Sequence, residues 1–142
     1  MFYVQTDDPK IKAAALRASD FFEDLYKGNV KVPEYFTHTS DTPAEVAFKI
    51  RRRREQPTTV RTYRTWNPWS NVLGYTSKGI IYVNTRFSDR AAIAAIAGNL
   101  AHEFCHIVGY SHKGNRPTAY NLKSVPYVLG YACRDWVAME EG

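Results

Sequence analysis

His102-Glu103-Phe104-Cys105-His106-Ile107-Val108-Gly109-Tyr110-Ser111-His112 reads H-E-x-x-H-x-x-G-x-x-H, and the rest of the chain is organised around it. On a helix, His102 and His106 stand about one turn apart, so both imidazoles leave from one face. A tetrahedral zinc ion accepts two nitrogens at about 2.0–2.1 Å from such a pair. Glu103 projects beside them, close enough to polarise a water and badly placed to be a ligand. A third imidazole on a continuing helix would point away, so the helix must stop. Gly109 most easily takes the left-handed conformation that ends a helix, and the turn it makes brings His112 back to the ion. Three protein ligands leave a fourth position for water, which separates catalytic from structural zinc. The competing reading is ordinary helix histidines beside a glycine cap. The chain has 4 histidines and three of them fall in this pattern, which favours the metal.

Upstream of the motif, Ser88 is expected to cap a helix running to Val108. Ile93, Ile96, Ala97, Leu100, Phe104, Ile107 and Val108 form its apolar stripe. His102 and His106 lie off that stripe, with Ala95 and Gly98 above them, so a packing face and a metal face are distinct. Downstream, Lys113 to Lys123 has the Gly, Asn, Pro and Thr content of a loop. Val125, Val128, Leu129, Ala132, Cys133, Trp136 and Val137 then recur at helical spacing and predict a C-terminal helix on the core.

Toward the N-terminus, Phe2 to Thr6 reads as a short strand. Asp8 and Pro9 open a helix whose face is Ile11, Ala15, Ala18, Phe22 and Leu25, with Gly28 at its end. Residues 29–41 read as an irregular connection, with His38 an ordinary surface residue. Thr42-Pro43-Ala44-Glu45 is a capping box opening a second helix to about Glu55. Thr58 to Trp66 is rich in β-branched and aromatic residues and reads as a strand. Val72–Thr76 and Gly79–Thr85 read as a hairpin joined by Ser77-Lys78. The fold class expected is α+β: one small domain over residues 1–142, with helices packed on a twisted mixed sheet of about four strands.

Composition narrows the partners. At 142 residues, 44% hydrophobic and 23% charged, the chain is that of a globular protein able to bury one core. The longest apolar run, Ala91 to Ala101, is broken by Asn99 and falls well short of the roughly 18 residues a membrane span needs. Met1 to Asp8 lacks the basic start and apolar stretch of a signal peptide. A cytoplasmic location is the default expectation, with secretion after trimming of a longer precursor as the alternative. Cys105 and Cys133 are too few for a disulfide scaffold and read as buried thiols or as one bridge. Net charge is +5, concentrated in Arg51–Arg54 with Arg61 and Arg64. That run reads as a solvated face or, with Tyr63, Trp66 and Trp69, as a contact for nucleic acid. The nucleic-acid reading leaves the histidine pattern unexplained and ranks below the metal.

The eleven residues 102–112 resemble the extended motif of the metzincins, a clan of zinc-dependent endopeptidases. The resemblance implies Zn2+ held by His102, His106 and His112, Glu103 as general base, and Gly109 as the turn. It implies hydrolysis of peptide bonds in a peptide or protein substrate, by a monomer. The family also has a methionine-containing turn beneath the zinc. Here the only methionines are Met1 and Met139, and the best positional match is Ser124-Val125-Pro126-Tyr127. The resemblance further implies that an edge strand, here Asn71–Thr76, pairs with an extended substrate. Leu73, Gly74 and Tyr75 would contact it, and Gly74 would admit its backbone closely; a plain bulged hairpin is the alternative. Tyr127 or Tyr120 would offer a hydroxyl to developing negative charge, or simply pack. The loop Lys113–Lys123 would wall the pocket past the scissile bond and, through Lys113, Arg116 and Lys123, tolerate acidic residues. A zinc-containing module that binds without cleaving is the chief rival, and its mark would be loss of the base at position 103.

Overall fold

The computed structural model describes residues 1–141. Strand β1 (Phe2–Val4) leads into helix α1 (Pro9–Tyr26), followed by α2 (Pro43–Arg54), β2 (Thr58–Tyr63), β3 (Gly74–Ser77) and β4 (Ile80–Asn84). A short helix α3 (Thr85–Ser88), the long α4 (Ile93–Val108), a 3-10 turn (Asn121–Lys123) and α5 (Val125–Glu141) complete the order. The architecture is α+β, with a four-stranded open mixed sheet in the order β1-β2-β4-β3. The first three of these are mutually parallel and β3 is antiparallel to β4 at the edge. No helix among the described residues is long and apolar enough to cross a membrane.

Local chemistry sets most boundaries. Asp8 accepts the Lys10 N–H at 2.9 Å and Pro9 supplies the first helical position of α1. In α2 the capping box closes in both directions, Glu45 N to Thr42 Oγ1 at 3.2 Å and Thr42 N to Glu45 Oε1 at 3.1 Å. The arginines of α2 fill its last turn, where the helix dipole favours cations. Val60, Ile81 and Val83 of the sheet are wholly buried together with Phe21 and Phe22 of α1 and Ile96, Leu100 and Phe104 of α4. Cys105 and Cys133 are buried free thiols in the same core.

Three expected boundaries move. The hairpin turn is Lys78-Gly79, not Ser77-Lys78, because both residues take positive φ (51° and 77°), the conformation that matches the twist of paired strands. β2 stops at Tyr63 rather than Trp66, since the Thr65 carbonyl accepts from Arg86 Nε at 3.0 Å instead of a strand. Ser88 does not cap α4. Asn84 caps the separate α3 by accepting the Arg86 N–H at 3.1 Å, and α4 begins at Ile93 without a side-chain cap. Ser88 is instead buried in α3 with an unpaired hydroxyl.

α4 and α5 cross at two glycines. A Cβ on Gly98 would stand 2.8 Å from the Gly130 carbonyl oxygen, and one on Gly130 would stand 3.0 Å from His102 Cβ. The small residue above the histidines thus serves helix packing, and α5 is drawn against the metal face.

Candidate metal centre

α4 delivers His102 and His106 from one face, and Gly109, at φ 119°, ends the helix with its N–H on the Cys105 carbonyl at 3.2 Å. The chain then reverses and His112 returns. Its Nε2 lies 3.1 Å from His102 Nε2 and 3.2 Å from His106 Nε2. Two nitrogens on a tetrahedral ion at 2.0–2.1 Å stand roughly 3.3 Å apart, so the observed spacing is that of ligands on one ion.

Tautomers strengthen the case. His106 Nδ1 is 2.8 Å from the Tyr110 carbonyl and His112 Nδ1 is 2.6 Å from the Gly114 carbonyl. A carbonyl only accepts, so both Nδ1 atoms carry the proton and both Nε2 lone pairs face inward. Two such lone pairs 3.2 Å apart repel unless a cation lies between them. The donor set fits a metal ion: His102, His106 and His112 offer ligand atoms all within 4.8 Å of one another. Burial, reinforced by the neighbouring imidazoles, pushes His102 down to about 3. Burial also lowers His106 and His112. All three shifts favour the neutral imidazole, the form that metal ligation requires.

Glu103 lies next to the triad and outside it. Its Oε1 accepts the Thr76 hydroxyl at 2.9 Å, and that hydroxyl also reaches the Glu103 main-chain oxygen at 3.3 Å. Burial pushes the carboxyl up, and the Thr76 hydrogen bond pulls it partly back. Thr76 lies on β3, so the edge strand fixes the carboxylate. Nothing in the sequence near the motif announced it.

The third ligand depends on residues the sequence did not single out. Asn121 is 2% exposed. Its Nδ2 donates to the carbonyls of Lys113 (2.6 Å) and Arg116 (2.9 Å), and its Oδ1 accepts the Lys113 N–H at 3.1 Å. His38 Nε2 meets the same Oδ1 at 2.8 Å. His38 is therefore no plain surface residue: it takes φ 63° and packs against Tyr120 with ring centroids 4.7 Å apart. Tyr110, whose carbonyl orients His106, is itself anchored by donating its hydroxyl to Asp41 at 2.8 Å. An asparagine in a Gly/Asn/Pro/Thr loop carries no signal that marks it as buried, so sequence patterning missed this hub.

A cleft of about 1030 Å³ runs between β3 on one side and α4 and α5 on the other, with the triad and Glu103 in its wall. Leu73, Gly74, Tyr75 and Tyr127 all line it. The Leu73 carbonyl accepts the Asn84 N–H at 3.0 Å, so antiparallel alternation leaves the N–H and C=O of Gly74 and Thr76 on the open edge. Packing already requires a glycine at position 74, because a Cβ there would stand 2.5 Å from the Tyr82 carbonyl oxygen and 2.9 Å from Asn99 Oδ1. The Tyr75 ring stacks on Tyr82 at 4.8 Å, on the opposite sheet face from Thr76. The Tyr127 ring packs against His102 (4.8 Å) and His112 (4.7 Å), and its hydroxyl donates to the Asn115 carbonyl at 3.4 Å. Tyr127 sits in the first turn of α5, so the Ser124–Tyr127 segment opens a helix. Tyr120 is directed to His38 rather than to the triad.

Two basic expectations change. Lys113, Arg116 and Lys123 are exposed, and the loop meets the cleft through Gly114 and Asn115 instead. The arginine run and the tryptophan loop lie toward opposite ends of α1. Arg51 covers Tyr26 at the end of α1, whereas Lys10 at its start reaches the Asp89 carbonyl, next to the Arg64 and Arg86 contacts that hold the Trp66 loop. Sixteen residues of helix, roughly 24 Å, separate the two ends. Comparison with protein-family models, curated proteins and solved structures found no match for this chain, so the metal centre stands on its own geometry.

Proposed function

We propose that this protein is a zinc-dependent endopeptidase of metzincin-like design. The observation that supports this reading best is the convergence of three neutral Nε2 atoms beside a carboxylate that is not needed as a ligand, all in a cleft with an open strand edge. A three-imidazole set leaves a tetrahedral zinc one free position, and zinc held there supplies Lewis-acid polarisation of a carbonyl and of water. His102 and His106 hold their rings by the helix, and Tyr110 and Gly114 fix the ligating tautomers of His106 and His112. An extended peptide adds to β3 through the unpaired groups of Gly74 and Thr76, which sets its backbone across the triad. Glu103, raised by burial and aimed by Thr76, takes a proton from the attacking water and hands it to the leaving amine. Tyr127 packs the histidines from the α5 side and narrows access for bulk water.

Metal analysis of the purified protein, paired with a broad peptide-cleavage screen with and without chelator, tests the proposal. One equivalent of zinc and chelator-sensitive cleavage are expected. Glu103→Gln keeps the zinc and lowers kcat by at least about 10²-fold, the usual contribution of a positioned acid–base group. Wild-type turnover in that variant refutes the role of Glu103. Zinc binding with no cleavage of any peptide favours the rival, a zinc-containing module that binds only.

A further inference from the structure

We propose that Arg134 is a substrate subsite that receives a carboxylate about two residues C-terminal to the cleaved bond. The inference rests on the peptidase reading and adds to it the class of substrate. Among the described residues lining the cleft, Arg134 carries the one fixed positive charge, and the one carboxylate is Glu103. Arg134 is reached from a part of the sequence with no motif, on the third turn of α5.

Its position follows from the helix crossing. A Cβ on Gly98 would stand 2.9 Å from Arg134 Cβ, which sets Arg134 level with the turn of α4 that precedes His102. Gly74 lies at the same level, since its Cβ position is 2.9 Å from Asn99 Oδ1. Thr76 lies level with Glu103, at 2.9 Å. The strand and helix therefore run in the same sense along the cleft. A peptide that adds antiparallel to β3, the commoner pairing, travels from the Thr76 level to the Gly74 level, so Arg134 meets the part beyond the scissile bond. Asn99 to Glu103 spans roughly 6 Å of helix, the length of about two residues of extended chain.

The side chain is prepared for an anion. The guanidinium lies over the Tyr131 ring at 4.7 Å, which holds its plane; Nε and Nη2 both donate to one oxygen of Asp135 at 3.4 Å, and Nη1 has no partner among the described residues. Among the described residues its one ion pair is with the adjacent Asp135 at 3.4 Å, with side chains 47% and 68% exposed, an arrangement worth little in water. A substrate carboxylate can take a bidentate pair that Asp135 does not offer. That carboxylate has two sources, an Asp or Glu side chain or the free C-terminus of a short peptide.

The test uses the zinc-loaded full chain and matched peptides with Glu or Gln two residues past the cut site, and with free or amidated C-termini ending there. We expect the acid form to be cut with kcat/KM about tenfold above its neutral partner, the size of one charge-assisted contact. That ratio falls to near one in Arg134→Gln and below one in Arg134→Glu. Preference for Glu over Gln identifies a side chain, and preference for the free over the amidated end identifies a terminus. An unchanged ratio in Arg134→Gln overturns the proposal while leaving the peptidase reading intact. If no peptide is cut, calorimetric binding of the same peptides to the zinc-loaded Glu103→Gln variant decides. Acid-selective binding lost in Arg134→Gln keeps the subsite and removes the peptidase, and absence of selectivity removes the subsite.

Discussion

The two arms of the metal centre are built differently. His102 and His106 ride on a 16-residue helix packed on both sides, so their separation is fixed by the helical repeat and their rings by the core beneath them. His112 stands on a loop with no regular structure. Its place is fixed by polar contacts: the Gly114 carbonyl on its ring, and Asn121 tying Lys113 and Arg116. The helix arm is rigid because apolar burial leaves it no alternative. The loop arm is rigid only while a few hydrogen bonds hold, each worth on the order of 1 kcal/mol. The comparison teaches that the weaker half of such a site lies in its supports rather than in its ligands.

The largest effect comes from breaking the rigid arm itself. His106→Ala is expected to lower bound metal from one equivalent to less than about 0.1, since two ligands and water do not make a closed protein site. Elemental analysis after dialysis measures this, and retention of stoichiometric metal would show that the helix pair is not the anchor. Loosening the loop arm is a milder blow. Asn121→Ala leaves all three ligands present and is expected to cost 10–100-fold in metal affinity, the usual cost of losing an outer-shell support. Competition with a chromogenic chelator reads the affinity, and an unchanged value would mean that His112 needs no such scaffold.

A third effect, which leaves the ligands and their supports intact, is a proton competition in the metal-free protein. The native pKa of His102 is about 3, against about 6.5 in the unfolded chain. Below pH 6.5 the unfolded chain therefore binds protons that the native state refuses, and stability declines as pH falls from 6.5 toward 3. His106 and His112 are shifted in the same direction and add to the decline. Denaturant melts across that window check the slope, and ring NMR resolves the order. His112 is expected to protonate before His102, whose Cβ lies against Gly130 and whose ring packs on Tyr127 of α5.

How far the sequence reached can be seen at particular residues. The capping box at Thr42 and Glu45, the stop at Gly109 and the apolar faces of α1, α4 and α5 were legible because each is a local rule. Side chains within four residues on one helix either meet or do not, whatever the rest of the chain does. The start of α4 was misread because Asn84, a strand residue, captured the next turn and left Ser88 without a cap to make. The hairpin slipped by one residue because the turn needs two positive φ angles and Gly79 grants one of them most readily. His38 looked idle because its partner Asn121 lies 83 residues away.

The sequence by itself determined which three histidines converge, which carboxylate stands beside them and where the helix must break, since these follow from spacing along a single element. The tertiary structure alone decided what aims Glu103, what steadies His112, and which of the chain's many arginines faces the cleft. Four arginines in a row at Arg51–Arg54 sit at the end of α2 and none of them lines the cleft, while the isolated Arg134 does. The reason is geometric: a side chain's surroundings are set by which elements cross, and here the crossing of α4 and α5 at Gly98 and Gly130 is a contact between residues 32 positions apart.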